Sequence, residues 1–192
     1  DGTLGMATMN GLVDRFGRRV TRLRLSITDR CNFRCSYCLP VVPCWLPSEG
    51  LLRREEIVRI ARVAVGLGAT RIRLTGGEPL LRRDLGEIVA GLAAIPALAD
   101  LSLTTNGYML DRLAGRLRDA GLRRVNVSLD SLRPDVFARI TGHDALDRVL
   151  AGLAAAERAG LGPIKINAVI LRGVNEDDVA ELGRFARATG YE

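Results

Sequence analysis

Leu23-Arg24-Leu25-Ser26-Ile27-Thr28, followed after Asp29-Arg30 by Cys31-Asn32-Phe33-Arg34-Cys35-Ser36-Tyr37-Cys38, is the stretch that decides the fold. Side chains two apart share a face of a strand. Arg24, Ser26 and Thr28 therefore point one way, and Leu23, Leu25 and Ile27 the other. Four later runs repeat this: Arg71–Thr75, Leu101–Thr105, Val125–Asp130 and Ile164–Ile170. Their polar rows are Arg73 and Thr75, Ser102 and Thr104, Asn126, Ser128 and Asp130, then Lys165 and Asn167. A parallel strand covered on both faces would be nearly all apolar, so each run is expected to keep one polar face.

Between the runs lie helical patterns, Arg54–Leu67, Asp84–Ala93, Leu110–Ala120 and Leu146–Ala159, and a further one, Glu176–Ala188, follows the last. A shorter helical piece begins at Pro134-Asp135, and Gly68, Gly121 and Gly160 stand where helix C-caps belong. Strand–helix alternation predicts parallel strands joined by right-handed crossovers, and five units are too few for an eight-stranded barrel. The expected class is α/β: a curved, partial (βα) barrel, truncated after about five βα units, with its polar rows inside and helices over the apolar side. Buried polar rows need partners or a ligand. A flat sheet with one wet face is the alternative. Residues 1–20 read as an N-terminal segment and 21–192 as the core.

Composition narrows the function classes. Hydrophobic residues make up 47% of the 192, which supports a packed core rather than disorder. No apolar run is long enough to span a membrane, and no secretory leader pattern opens the chain. The cytoplasm is the expected compartment. The chain opens at Asp1, so Met6 or Met9 is a candidate start. The net charge of +6 is spread over separate arginine pairs, and aromatics are only 4%, too few for a base-stacking platform. No nucleic-acid partner and no membrane partner are expected.

All four cysteines fall between Cys31 and Cys44. Such a local cluster reads as a metal site rather than a set of staples. Cys31, Cys35 and Cys38 suit an iron–sulfur cluster with one iron left open for substrate chemistry. A closed zinc site with Cys44 as fourth ligand is the alternative. Thr75-Gly76-Gly77-Glu78-Pro79 ends the second strand, and its glycines allow close approach of backbone to a ligand. Thr104-Thr105-Asn106-Gly107 and Asn126-Val127-Ser128-Leu129-Asp130-Ser131 end the third and fourth at the same edge, where barrel sites lie. His143, the single histidine, reads as a surface residue. Asp177 and Asp178 read as acidic charge at a helix N-terminus, with no chemistry assigned.

These motifs, together with Leu12–Gly17, Leu23–Cys35, Ile72–Asp84, Leu103–Gly107, Arg124–Ser131 and Ile164–Val169, resemble the molybdenum cofactor biosynthesis protein A family. These are the GTP 3′,8-cyclases of the radical S-adenosylmethionine (SAM) superfamily, and the resemblance runs from Leu12 to Tyr191. It implies a radical SAM barrel in which Cys31, Cys35 and Cys38 ligate a 4Fe–4S cluster whose open iron chelates SAM. It implies reductive cleavage of SAM to a 5′-deoxyadenosyl radical that takes the 3′ hydrogen of GTP. The product is (8S)-3′,8-cyclo-7,8-dihydroguanosine 5′-triphosphate, in molybdenum cofactor biosynthesis. Tyr37, Gly77 and Ser128 match SAM-binding positions, and Arg24, Arg73, Thr104 and Lys165 match GTP-binding positions. No residue is assigned a catalytic role beyond these. An electron donor of flavodoxin or ferredoxin type is implied, with a homodimer as one candidate assembly.

Two departures stand out. Leu39–Pro47 differs from the family's usual loop, and Glu192 falls before a sixth strand. The family's second, C-terminal 4Fe–4S cluster is expected only in a full-length protein. This chain alone is therefore expected to hold cluster and SAM but to cyclise GTP poorly. Another radical SAM enzyme, such as a peptide-modifying maturase, and a non-catalytic metal-binding fragment are the competing readings.

Overall fold

A computed structural model describes residues 11–38 and 43–192. The candidate starts Met6 and Met9, and Leu39–Val42 of the divergent loop, lie outside the described residues. The strands are β1 (Arg22–Ser26), β2 (Arg71–Thr75), β3 (Asp100–Thr105), β4 (Arg124–Ser128) and β5 (Lys165–Asn167). The helices are α1 (Arg54–Gly66), α2 (Leu85–Ala93), α3 (Leu110–Asp119), α4 (Pro134–Thr141), α5 (Leu146–Arg158) and α6 (Val179–Thr189).

The strands form one parallel sheet in the order β1-β2-β3-β4-β5. Strands added in sequence by crossovers of one hand place every helix on the same face. The apolar rows Ile72, Leu74, Leu101, Leu103, Val125 and Val127 are buried under those helices, each contributing about 1.5–3 kcal/mol by leaving water. The opposite face keeps the polar rows and an open concavity, as expected for a barrel that is not closed.

Local sequence explains the element ends. α4 begins at Pro134, whose fixed φ suits a first helical position, and ends at Gly142 with φ 72°. The predicted glycine caps hold, with φ of 101° at Gly68, 104° at Gly121 and 72° at Gly160. α1 opens with the Glu56 carboxylate accepting from the Arg53 amide at 2.7 Å.

β1, β4 and β5 are shorter than their patterns predict. β5 stops at Asn167 because the next amides pair with side chains: the Val169 N–H donates to Asp130 Oδ1 at 2.8 Å. The Asn175 amide donates to the carbonyls of Asp130 at 2.7 Å and Val169 at 2.9 Å. Asp178, expected as helix-terminal charge, is buried in an ion pair with Arg133 at 2.6 Å. Glu192 pairs alongside β5, donating to Ile164 O at 2.9 Å and accepting from Ile166 N at 2.8 Å. Residues 11–20 form a tight turn against α1, with Val13 and Arg19 bridged and the Leu12 amide donating to Leu67 O at 3.0 Å.

Candidate functional site

The C-terminal ends of the strands gather the predicted motifs on one edge. The cysteine loop leaves β1 and is fastened from three sides. Its Arg34 and Ser36 amides donate to the Thr141 and Ile140 carbonyls at 2.8 and 2.9 Å, so it caps the C-terminus of α4. Phe33 is buried, with ring centroids 5.9 Å from Tyr108 and 6.0 Å from Phe137. Tyr37 donates its hydroxyl to Asp130 Oδ2 at 2.7 Å. His143 is exposed and stacks on Phe33 at 5.4 Å.

The β2 loop lies against the entry to the cysteine loop. Gly77 N donates to Thr28 O and Glu78 N to Arg30 O, both at 2.7 Å. Gly76 has φ 150°, and a Cβ there would collide with the Thr28 carbonyl; a Cβ on Gly77 would collide with that of Arg30. The glycines are therefore required by the cysteine loop's own backbone, a closer reason than the ligand approach expected of them.

Cys31 and Cys35 are half-buried and Cys38 and Cys44 exposed, all as free thiols. Burial pushes the Cys35 thiol up to about 11, reinforced by Asp130, Cys31 and Cys38; burial also raises Cys31. Three adjacent thiolates here need a cation among them. No three His, Cys, Asp or Glu among the described residues close around a single ion. The soft thiolate donors of Cys31, Cys35 and Cys38 fit an iron–sulfur cluster. Cys44, past Leu39–Val42 in the chain, is exposed.

On the polar face the register arranges the side chains in layers. Arg24, Arg73, Ser102 and Arg124 stand in one line across β1 to β4. Thr104, Asn126 and Lys165 form the next, and Ser128 and Asn167 the one beside the cysteine edge. A cavity of about 490 Å³ is lined by Arg22, Arg24, Arg71, Arg73, Arg124 and Lys165, with Asp100 and Glu192 as its acids. Arg124 is paired to Asp100 at 2.5 Å. Burial, then the neighbouring charges of Arg24 and Arg124, lower the Arg73 pKa. The cavity extends toward the N-terminal ends of the strands, away from the cysteine edge. Thr104 and Ser128 share its face but do not line it. Asn126 has both amide atoms buried without a partner among the described residues.

A larger groove of about 680 Å³ lies outside the barrel at the starts of α1 and α2. Its Arg54 and Arg82 are ion-paired with Glu55, Glu87 and Asp84, and Arg30, Arg53 and Arg83 also line it.

Sequence reading missed the Glu78 side chain. It is buried, and its carboxylate accepts from Leu80 N at 2.9 Å, Thr105 Oγ1 at 2.7 Å and Asn106 N at 2.6 Å. Burial pushes its pKa up to about 7 against these donors. The motif's acidic residue and its following turn were the only local signal.

The family profile described as "Radical SAM superfamily" matches residues 25–186. A GTP 3′,8-cyclase of Acidothermus cellulolyticus is 56% identical over 184 residues, covering 93% of this chain and 51% of that protein. One of Geobacter sulfurreducens is 52% identical over 175 residues, covering 91% and 54%. The chain thus spans about half the length of these relatives. Among solved structures, Streptococcus suis SuiB bound to S-adenosylmethionine superposes with a TM-score of 0.74 at 18% identity, over 90% of this chain and 39% of that one. That likeness is one of fold.

Proposed function

The chain belongs to the radical SAM superfamily, and from that premise we propose that it is the SAM-cleaving, triphosphate-holding half of a GTP 3′,8-cyclase of molybdenum cofactor biosynthesis. The superfamily's cofactors are a 4Fe–4S cluster and SAM. Cys31, Cys35 and Cys38 would hold the cluster, which would supply one-electron reduction of SAM. The chain's own residues do the positioning.

The observation that carries the substrate is the arginine-rich cavity on the polar face of the sheet. A triphosphate matches it in charge: arginine offers paired donors to phosphate oxygens and Lys165 a point charge. With phosphates at the Arg24, Arg73 and Arg124 layer, the ribose comes to the Thr104 and Lys165 layer. It then faces Ser128 and the cysteine edge, where Tyr37, Gly77 and Ser128 hold SAM. Aiming the 3′ carbon in this way matters, since about 1 Å of misplacement costs on the order of a hundredfold in rate. The guanine end and a second 4Fe–4S cluster belong, in this reading, to the half that the relatives have beyond the matched region. A flavodoxin- or ferredoxin-type donor supplies electrons in the cytoplasm, and a homodimer is one candidate assembly.

The test joins this chain to the second half of the Acidothermus cellulolyticus relative. It is incubated anaerobically with dithionite, SAM and GTP, and the nucleotides are read by mass spectrometry. Cyclised nucleotide and 5′-deoxyadenosine in equal amounts are expected. 5′-Deoxyadenosine without cyclised GTP would contradict the substrate.

A further inference from the structure

The three loops around the cysteines are closed into a ring by side chains that no ligand role explains. Glu78 reaches from the β2 loop into the β3 loop, accepting from the Thr105 hydroxyl and the Asn106 amide. Asn106 is itself buried. Its Oδ1 accepts from Tyr108 N at 3.0 Å, which fixes which way its amide faces. Its Nδ2 then donates to Asn32 Oδ1 at 2.9 Å, and Asn32 is the residue directly after Cys31. The ring closes through backbone, because Glu78 N donates to Arg30 O on the other side of Cys31. Cys31 is thus flanked by two anchors that both lead to Glu78.

We propose that Asn106 is a positioning residue for the cysteine loop: anchored by the Glu78 carboxylate, its side-chain amide holds Asn32 and so fixes Cys31 where it ligates the cluster. The inference rests on Cys31 being a ligand and is independent of the substrate. It gives Glu78 and Asn106 a role beyond ending their strands. The β2 loop that carries Gly77 and the loop that carries the cysteines then move as one body. A neutral hydrogen bond of this kind is worth about a tenfold change in a local opening equilibrium.

The test uses the metal-free chain, so that it does not depend on cluster assembly. Alkylation of each cysteine by iodoacetamide is followed by peptide mass spectrometry in wild type, Asn106→Ala, Asn32→Ala and the double variant. Each single variant should speed Cys31 alkylation about tenfold and leave Cys44 unchanged. The double variant should be no faster than either single one, because both break the same link. Asn106→Asp should be slower to react than Asn106→Ala, since its Oδ1 still holds Tyr108 N and the Asn32 amide can turn to donate to it. Unchanged Cys31 rates, or a double variant near a hundredfold, would overturn the proposal. In reconstituted protein the single variants should also lose iron to a chelator faster than wild type. A wild type that takes up no iron would refute the ligand assignment itself, while the alkylation rates would still decide the link.

Discussion

The Tyr37 hydroxyl donates a 2.7 Å hydrogen bond to Asp130 Oδ2 across a separation of 93 residues. The other carboxylate oxygen of Asp130 accepts from Val169 N, so one buried side chain holds the cysteine loop, the end of β4 and the turn after β5. Asp130→Ala removes both bonds from part-exposed donors, for a loss of about 1–3 kcal/mol in all. Asp130→Asn keeps an acceptor for Val169 and should lose less. Urea unfolding of the metal-free protein measures both, and equal losses would show that the Val169 bond contributes nothing.

Glu78 gives stability an unusual pH dependence. Burial raises its folded pKa from 4.5 to about 7, so between those values the folded state binds the extra proton. Stability is therefore greatest below about 4.5 from this group and falls as pH rises through about 7, by on the order of 2–3 kcal/mol. The neighbouring Cys31 thiol, itself raised from 9.0, stays neutral across that window. Unfolding free energies of wild type minus Glu78→Gln, measured from pH 5 to 7.5, should decline along this curve. A flat difference would show that the ring holds a carboxylate of ordinary acidity.

Gly77→Ala places a methyl group against the Arg30 carbonyl. Backbone on both sides leaves little room to relax, so a loss of roughly 1–3 kcal/mol is expected. Gly86→Ala, where a Cβ meets nothing within 4 Å, should not destabilise. Thermal unfolding of the two variants makes the comparison.

Arg73→Ala should weaken GTP binding about ten- to a hundredfold, the worth of a charge-assisted contact. Guanosine, which has no phosphates, should bind equally to both proteins. Calorimetry against GTP, GDP and guanosine separates these, and an equal loss for guanosine would move Arg73 away from the phosphates.

The polar and apolar phases of all five strands were legible in the sequence because period-two alternation survives wherever one sheet face is solvated. Arg24, Arg73 and Lys165 could be grouped before any coordinates for the same reason. The direction in which their cavity extends could not, since alternation gives a face and no depth. The Tyr37–Asp130, Glu78–Thr105 and Asn106–Asn32 bonds join residues far apart in the chain and leave no local pattern. β5 ended early for a related reason: Asp130 and Asn175 capture amides and carbonyls that an isolated Ile164–Ile170 run would give to a ladder.

The ligation of the cluster is tested most directly by iron analysis of anaerobically reconstituted wild type, Cys35→Ala and Cys44→Ala chains. Wild type and Cys44→Ala should each hold about four irons per chain, and Cys35→Ala should hold little. Loss of iron from Cys44→Ala as complete as from Cys35→Ala would contradict a three-cysteine site with one iron open to SAM.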